Sequence, residues 1–511
     1  MLKVPLLLLD VLATVFVFQW LRDLRRRKGA RNPPGPAGYP LLGNVFDLVV
    51  PELWKRAREL GIAYGNLVHL QSFGQRIVIT NSYDTALTLL EGRSLNYSDR
   101  PNSVMVNELQ GWDWMFANQP YGEPWRKNRA PMQRFFEQSN LAQYEDVLQN
   151  ESRKFLCNLL RTPENYEGHI RTVMASLIMM LTYGHEVVSA DDPYVTLAEE
   201  GTAHLALALR PGAFLVDIVP WLKYIPKWLP GAGFQAIAAE GARFSHDLRY
   251  RPYADAKKNI SAGTARRSFI IEQMEAIMGD EGRLSQEDEE IISANTGLCY
   301  IAGADTTVTS LMSFMSAMLV FQDVQKRAQE EIDRVVGEDR LPVLSDRPQL
   351  PYCDALYKEV LRWHPTIPLG VPRSSKEDDI FEGYFIPAKT TIIANHWAML
   401  HDPVEYPNPD IFMPERFLLK PGERMPRDPS KIAFGFGRRI CPGRHLAENT
   451  IFTMTIQVLA AFDICRVTDA EGKVIEPDIK QGLDGIINHT HRFDCVIKPR
   501  NKKVEELIVL E

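Results

Sequence analysis

The sequence predicts a mainly α-helical protein with a small β region, folded as one large domain behind an apolar N-terminal segment. Long helical patterns cover Ser139–Leu160 and Asp323–Val336. Short strand patterns bounded by turn residues lie at Leu67–Leu70, Arg76–Thr80, Thr390–Ala394 and Phe493–Ile497. No Gly/Ser linker, repeat or low-complexity segment divides the 511 residues, so a single core is expected although the length alone would allow about three domains.

One apolar run in the body of the chain is expected to be a buried central helix. Ser285, which is followed closely by acidic residues, marks its start. From Ile291 to Gln322 only Asp305 carries a side chain that is charged at neutral pH. Such a run could also be a membrane span, but Asn295 and Asp305 near its middle are costly in lipid, which favours a helix through the protein core.

The charge balance and the cysteine content limit the kinds of binding partner and of cellular compartment that are expected. The 58 basic and 65 acidic side chains give a net charge of −7, which argues against nucleic acid as a partner. The 6 cysteines show no paired spacing, which is typical of a reducing compartment. Most of them have no distinctive surroundings and are interpreted as buried structural residues: Cys157, Cys299, Cys353, Cys465 and Cys495.

Cys441 differs from these because it lies in the segment FGFGRRICPG, which runs from Phe434 to Gly443. Glycines there allow tight turns and close approach to a flat ring, and Pro442 suits the first position of a helix. A sulfur at a helix N-terminus gains from the dipole and from free N–H groups, which favour the thiolate. Arg439 can reach a haem propionate, and Phe434 can shield the sulfur from water. The pattern predicts a thiolate ligand to haem iron; a buried structural cysteine is the alternative.

This loop resembles the haem-binding loop of the cytochrome P450 family, with no departures. The resemblance implies a P450-like fold, an α-rich body with a minor β region, and it extends over essentially the whole chain after about residue 33. It also implies haem b as the cofactor, with Cys441 as the axial ligand of the iron and Gly443 within the haem-binding loop.

A second group of residues resembles the structural triad of that family. Glu359 and Arg362 lie three residues apart on one predicted helix face, and Arg416 follows in the segment PERF. Spacing alone is weak evidence, because other Glu–Arg pairs in the chain repeat it. The order along the chain, with the cysteine loop next, implies a role in bracing the haem-side core.

The same resemblance implies contacts to the haem propionates from Trp125, Arg129 and Arg373. Trp54 and Arg58 repeat the Trp–Arg spacing, but the long loop before Trp125 favours the later pair. For each of the arginines, a charge on the protein surface is the alternative.

The segment Ala302-Gly-Ala-Asp-Thr-Thr307 resembles the oxygen-activating part of the family's central helix. Ala302 and Gly303 would leave space for dioxygen beside the iron. Thr306 can bond to the carbonyl four residues back and can donate toward bound oxygen, and Asp305 can feed protons along that route. The alternative is an ordinary back-bonded hydroxyl next to a paired carboxylate.

The N-terminus predicts a membrane anchor. Val4–Leu21 is mostly apolar, and a cluster of basic residues follows it. This order favours a signal anchor over residues 1–22 with the body in the cytosol; a cleaved signal peptide is the alternative. A basic, proline-rich hinge over residues 23–38 would then join the anchor to a catalytic domain over residues 39–511. We expect a single-pass protein of the endoplasmic reticulum membrane.

Further contacts follow from the resemblance and from local composition. Pro220–Pro230 carries two Trp, one Tyr and two Lys among aliphatic residues, which suits a membrane interface, with an ordinary packed loop as the alternative. The implied electron donor is a membrane NADPH–cytochrome P450 reductase. Basic side chains that could receive it are Lys127, Arg134, Arg438 and Arg444, with a simple solvated surface as the alternative.

The predicted substrate pocket is largely apolar and suits a lipophilic small molecule. Its lining is expected from Val104–Met115, Leu205–Phe214, Leu298–Ala302, Thr366–Val371 and Gly485–Ile487, with the aromatic residues Trp112, Trp114 and Phe116 nearby or packed in the core. The chain resembles fungal, mushroom-type members, which oxidise terpenoids, indoles and polyketides.

Three functions compete at this stage. A monooxygenase would place one oxygen atom of O2 in a C–H bond. An isomerase or dehydratase acting on a peroxide would keep the haem thiolate without a reductase, but it would not need the pair Asp305 and Thr306. A haem-binding sensor would need neither that pair nor an open apolar pocket. The complete set of motifs favours the monooxygenase.

Overall fold

The computed structural model describes residues 26–27, 29–189, 191–210, 212–278, 283–418, 422 and 424–510. The predicted anchor over residues 1–22 lies outside the described residues, as does the start of the predicted hinge. The part of the hinge that is described, from Arg31 to Pro36, lies against the body. The N–H of Phe385 donates to the Arg31 carbonyl at 2.7 Å, and the N–H of His69 donates to the Pro34 carbonyl at 2.7 Å.

Helices form most of the fold. The longer ones are α1 (Leu53–Tyr64), α2 (Glu123–Phe135), α3 (Glu145–Arg161), α4 (Tyr166–Tyr183), α5 (Pro193–Leu209), α6 (Phe234–Ser261), α7 (Phe269–Met278), α8 (Gln286–Val320), α9 (Gln322–Val335), α10 (Pro351–Trp363), α11 (Arg444–Ala461) and α12 (Lys502–Leu510). Short helical turns include Val104–Leu109, Leu215–Ile218, Pro220–Tyr224, Pro414–Phe417 and Gly437–Arg439.

The strands are short and form several small sheets. They are β1 (Leu67–Ser72), β2 (Gln75–Thr80), β3 (Arg373–Ser374), β4 (Asp379–Phe381), β5 (Tyr384–Ile386), β6 (Thr391–Ala394), β7 (Phe462–Cys465), β8 (Gln481–Asp484), β9 (Ile487–Thr490) and β10 (Val496–Pro499). The largest sheet has the order β1-β2-β6-β3, and the remaining strands pair as β4 with β5, β7 with β10, and β8 with β9. The predicted mainly α fold with a minor β region is confirmed.

Helix α8 runs through the protein core, as the sequence predicts. Ser285 and Asp288 form a capping box at its start, where the Asp288 N–H donates to Ser285 Oγ at 3.2 Å. It packs against α4, α6 and α11, and its side chains are buried over residues 292–300 and 307–319. Between these stretches, from residue 301 to 306, the helix surface is open. The segment Ala302–Thr307 therefore lies largely where the buried part of the central helix is interrupted.

Among the described residues, no single helix is long and apolar enough to cross a membrane. Only the pair Gln286–Val320 and Gln322–Val335, which is bent by 104°, reaches the required length and composition when its two helices are taken together.

Most predicted elements agree with the structure to within two residues at each end, and two of them begin later than predicted. The helical pattern over Ser139–Leu160 is interrupted by a 3-10 turn at Ala142–Tyr144, so α3 begins at Glu145. The predicted strand Phe493–Ile497 overlaps β10, which begins at Val496, while the backbone of Phe493 bonds to Tyr166 instead of to a strand. The Tyr166 hydroxyl donates to the Phe493 carbonyl at 2.8 Å and accepts from the Phe493 N–H at 3.0 Å.

Candidate active site

Cys441 lies at the end of a tight loop and directly before helix α11. Its N–H donates to the Phe434 carbonyl at 2.8 Å, which closes the loop. Gly437 has a φ of 50°, and a side chain there would meet the Leu90 carbonyl oxygen at 2.6 Å, so only glycine fits. Gly443 precedes α11 with a φ of −83°, and a methyl group there would meet nothing within 4 Å. Protein contacts therefore explain the glycine at 437 and not the one at 443.

The charge state of Cys441 depends on what binds its sulfur. Burial raises the pKa of the Cys441 thiol, while the Gly443 N–H and the cations of Arg129 and Arg444 act in the opposite direction. Burial is the larger influence, so a free thiolate is disfavoured. A metal cation at the sulfur would reverse that balance, because a coordinating thiol is deprotonated.

Four arginines form what we call the arginine cluster: Arg100, Arg129, Arg373 and Arg439. They donate to backbone carbonyl oxygens. Arg439 reaches Ser98, Phe116 and Gln119 at 2.8, 3.0 and 2.5 Å. Arg373 reaches Leu90 and Phe436 at 3.0 and 2.5 Å, and Arg129 reaches Ile440 at 2.5 Å. Within the described residues, none of the four has a carboxylate within ion-pair distance.

Among the described residues, no ion pair balances the positive charge of the cluster, although Asp99 acts on Arg439 from a longer distance. Burial lowers the pKa of Arg373 to about 9, and the charge of Arg439 adds to that effect. Burial likewise lowers the pKa of Arg439 to about 9, with Arg100 contributing. Burial also lowers the pKa of Arg129 to about 10. A bound group with carboxylates would compensate these charges.

Trp125 adds a second sign of an anionic ligand. Its side chain is buried, and the Arg439 guanidinium lies 4.8 Å from the centre of its ring. The Trp125 Nε1 and the Arg129 Nε are buried without a hydrogen-bond partner among the described residues. Buried donors of this kind are normally paired, so both atoms fit a ligand with acceptor oxygens. Trp54, the alternative in the sequence, is also buried but lies in α1.

The open stretch of α8 carries the predicted oxygen-side residues. The Thr306 hydroxyl donates to the Ala302 carbonyl at 2.8 Å, which is the predicted back-bond. Ala302 is exposed at this point of the helix. A side chain on Gly303 would meet Cδ1 of Ile178 at 2.8 Å, so this glycine permits close packing against α4. Its predicted role in leaving space for dioxygen stays a prediction.

Asp305 has two partners that sequence reasoning missed. Arg171 Nη1, from α4, lies 3.6 Å from one carboxylate oxygen, and His489 Nε2, from β9, lies 3.4 Å from the other. Both residues are far from Asp305 along the chain and carry no motif, so no local signal could have identified them. Arg100 was missed for the same reason.

The predicted triad is also formed. Arg362 donates from Nε and Nη2 to the two Glu359 oxygens, each at 2.8 Å, and Arg416 Nε lies 3.1 Å from Glu359 Oε2. The triad is buried, and Glu359 and Arg362 are fully inaccessible. This arrangement braces α10 against the turn Pro414–Phe417.

Two close approaches involve the segments predicted to line a pocket: Met105, in the first segment, bonds to Asp217 just beyond the second, and Gly485 approaches Ala206 within the second. Asp217 accepts from the Ser103 hydroxyl at 3.0 Å and from the Met105 N–H at 2.9 Å, which ties the turn Leu215–Ile218 to the turn Val104–Leu109. At the tip of the β8–β9 hairpin, a side chain on Gly485 would meet the Ala206 Cα at 2.9 Å. The aromatic residues Trp112, Trp114 and Phe116 are buried, in agreement with the core-packing alternative.

The geometry of the site and a match of the sequence to a family model together identify the protein family. The sequence matches the family model described as Cytochrome P450 over residues 33–493. The chain therefore belongs to the cytochrome P450 family. Members of this family hold haem through a cysteine thiolate, and the Cys441 loop, the arginine cluster and the unpaired Trp125 Nε1 fit that group.

Curated fungal relatives narrow the class of enzyme. Cytochrome P450 monooxygenase 208 of Postia placenta is 42% identical over 506 residues, which cover 98% of this chain and 97% of that protein. Cytochrome P450 monooxygenase COX2 of Coprinopsis cinerea is 39% identical over 489 residues, covering 94% of this chain and 92% of the relative. Cytochrome P450 monooxygenase ple1 of Rhodocybe pseudopiperita is 39% identical over 503 residues, covering 98% and 95%. The chain is an enzyme of the P450 monooxygenase class.

Proposed function

We propose that this protein inserts one oxygen atom from O2 into a C–H bond of a lipophilic small molecule, with two electrons from NADPH delivered by a reductase. The second oxygen atom leaves as water. The observation that carries the proposal is the position of Cys441 at the start of α11 beside the arginine cluster. Haem, when bound there, supplies the reduction of O2 and the transfer of one oxygen atom.

The residues of this chain divide the work of holding the cofactor. Cys441 binds the iron through its sulfur, and Phe434 shields that side of the loop. Trp125 and the arginine cluster, in which Arg100 joins the three predicted arginines, bind the propionates. Trp125 Nε1 and Arg129 Nε are buried donors without a partner among the described residues, and bonds to backbone carbonyl oxygens hold the side chains of Arg100, Arg373 and Arg439 in place.

Thr306 and Asp305 deliver protons on the oxygen-binding side of the site, opposite Cys441. The Thr306 hydroxyl is held by the Ala302 carbonyl and can release that bond to donate toward the open stretch of α8. Asp305 is partly exposed and lies next in the chain, so it can take protons from solvent and pass them inward. Loss of either group should send electrons into hydrogen peroxide instead of product.

The proposed substrate is a fungal secondary metabolite of the terpenoid, indole or polyketide class. Support comes from the apolar predicted lining and from the fungal origin of the relatives. The peroxide isomerase or dehydratase is disfavoured by the intact pair Asp305 and Thr306.

The proposed setting is the endoplasmic reticulum membrane, with a single span and a cytosolic catalytic domain. Support comes from the apolar segment at residues 1–22 and from exposed aromatic side chains in Pro220–Pro230, where Tyr224 is 78% and Trp228 80% accessible. The reductase is proposed to dock on the exposed side chains of Arg134 and Arg438. Lys127 is a weaker candidate, because its ammonium lies 2.5 Å from Glu287 Oε1.

The ligand assignment is tested by spectroscopy. The purified protein should form a ferrous–CO complex with the strongly red-shifted Soret band of a thiolate haem. Cys441→Ala should abolish that band, and the matched variant Cys465→Ala should keep it. A Cys441→Ala protein that retained the band would refute the assignment.

The reaction is tested by expressing the protein with a reductase in a host fed terpenoid, indole and polyketide scaffolds. Mass spectrometry should find products with one added oxygen atom that depend on NADPH. In the same system, Thr306→Ala should lower the yield of product per NADPH by about tenfold or more, because a proton donor is lost. Product formed from a hydroperoxide without NADPH would support the isomerase instead.

A further inference from the structure

The Asp305 carboxylate is held between two distant segments of the chain. Arg171 Nη1 approaches Oδ1 at 3.6 Å, and His489 Nε2 approaches Oδ2 at 3.4 Å. Arg171 also donates to Glu167 Oε1 at 3.1 Å, so its charge is shared between two carboxylates. His489 faces no second carboxylate among the described residues. The histidine is therefore the more selective partner of Asp305.

His489 is itself fixed on the central helix. Its Nδ1 lies 3.2 Å from the Thr309 hydroxyl, and the next residue, Thr490, pairs with Ser313 Oγ at 3.2 Å. The preceding residue, Asn488, donates its N–H to the Thr366 carbonyl at 2.9 Å. The His489 ring is bonded to Thr309, and both adjacent residues, Asn488 and Thr490, are bonded to other segments. The ring therefore has little freedom to move away from Asp305.

The hydrogen-bond chemistry defines what the ring offers to Asp305. The Thr309 hydroxyl lies 3.0 Å from the Asp305 carbonyl and 3.2 Å from His489 Nδ1, and it has one hydrogen to donate. His489 Nε2 lies 3.4 Å from Asp305 Oδ2, so a hydrogen on Nε2 would give the carboxylate a donor in addition to the Arg171 guanidinium. In that tautomer, or in the imidazolium, the ring presents an N–H to the carboxylate.

We propose that His489 is a positioning residue for proton delivery: it holds the Asp305 carboxylate on the route that leads to Thr306. The proposal rests on the proposed function of Asp305. The charged or titratable groups around Asp305 and its partners are Arg171, Glu167, His489 and His364, the last of which bonds to the Asn488 carbonyl at 2.8 Å.

The experiment uses the full chain with haem and reductase, supplied with NADPH and O2 and no organic substrate. Hydrogen peroxide released per NADPH measures how well protons are delivered. His489→Leu removes the N–H and should raise this ratio by about threefold to tenfold, below the range for loss of a general acid itself. His489→Gln keeps a donor and should stay within about twofold of the unchanged protein.

A second readout does not depend on turnover. The C–O stretching band of the ferrous–CO complex responds to charge near the ligand, so His489→Leu should shift or broaden it while His489→Gln restores it. His491→Leu is the matched control, because His491 is exposed two residues further along the chain. It should change neither measurement. If His489→Leu folds poorly, the nearly isosteric Thr309→Val can be used, because it removes the hydroxyl that contacts the His489 ring. It should raise peroxide release per NADPH by a smaller factor.

The variant Asp305→Asn distinguishes the positioning role of His489 from the proton-delivery role of Asp305. If Asp305→Asn raises peroxide release and His489→Leu and Thr309→Val do not, the positioning role is refuted and the role of Asp305 stands. If Asp305→Asn leaves peroxide release unchanged, the proposed role of Asp305 fails first. A His489→Gln protein as impaired as His489→Leu would also refute positioning through the N–H.

Discussion

Two regions of this molecule bury arginines, and they do so in opposite ways. In the triad, Arg362 and Arg416 share the carboxylate of Glu359 at 2.8 to 3.2 Å. In the arginine cluster, Arg100, Arg373 and their neighbours donate to backbone carbonyl oxygens and have no carboxylate within reach among the described residues. The triad is complete in the protein alone, whereas the cluster lacks the anion that would balance it.

This difference in charge balance distinguishes the triad, which stabilises the fold, from the arginine cluster, which is suited to bind an anionic ligand. Burying a charge without a partner costs several kcal/mol, so proteins rarely retain such a charge unless a ligand compensates it. The lowered pKa of Arg373 and of Arg439, caused first by burial and then by a neighbouring arginine of the cluster, expresses that cost. Buried charge without an internal partner therefore identifies the ligand site more reliably than the spacing of Trp125 and Arg129 did.

The largest effect is expected from breaking the triad. Glu359→Gln leaves Arg362 and Arg416 buried without a carboxylate, and the free energy of unfolding should fall by about 3 to 5 kcal/mol. Urea unfolding of the haem-loaded protein measures this loss. Glu330→Gln is the control, because Glu330 pairs with Lys326 at 3.9 Å on the surface and should change the free energy by about 0.5 kcal/mol or less. Equal losses in both variants would contradict the comparison.

Acid should affect both regions through a buried histidine in each. Burial, with Arg362 nearby, lowers the pKa of His401 to about 3, and burial, with Arg373 nearby, lowers the pKa of His396 to about 4. The unfolded chain takes up these protons near pH 6.5, so stability is complete above that pH and falls as the pH drops toward 4. The loss is at most about 1.4 kcal/mol per pH unit for each ring.

Urea unfolding at several pH values measures this slope. His401→Gln should flatten it whether or not haem is bound, because the triad is already balanced. The contribution of His396 should shrink when haem is bound, since propionates would offset the charge of Arg373. A slope that is the same in His401→Gln and in the unchanged protein would contradict the account.

Removing one arginine of the cluster should have the smallest effect on the free energy of unfolding. It should instead weaken the binding of haem. Arg373→Leu should speed the transfer of haem to an excess of a haem-scavenging globin by about 10- to 100-fold, since one charged hydrogen bond contributes about 1.5 to 3 kcal/mol. The haem-free protein should change little in stability, because the loss of one repelling buried charge offsets the loss of the bonds to the Leu90 and Phe436 carbonyl oxygens. Arg424→Leu, which removes an exposed arginine beside Glu405, should change neither property.

Much of the fold and of the proximal side could be predicted because the information is local. The cysteine loop, the start of α8 at Ser285 and the pair Glu359 and Arg362 depend on residues within a few positions of one another. The predicted strand Phe493–Ile497 starts too early, because the backbone of Phe493 bonds to a distant side chain, that of Tyr166. No sequence pattern reports such a competition.

The rest of the candidate site depends on long-range contacts. Arg100 is a single arginine without a motif, and only its burial against the Ala117 and Pro372 carbonyls reveals its role. Arg171 and His489 reach Asp305 from two other segments. Gly303 was assigned to oxygen access from its small size, but the same small size serves the packing of Ile178.

The contact between Gly485 and Ala206 has a consequence for how this enzyme could change over evolution. Gly485 has a φ of 61°, and a methyl group there would strike the backbone of α5 at 2.9 Å. A lineage that acquired a side chain at this position would have to move the hairpin or the helix, and the space between them would widen. A single codon could thus change how the β8–β9 hairpin packs on α5, without any substitution near Cys441.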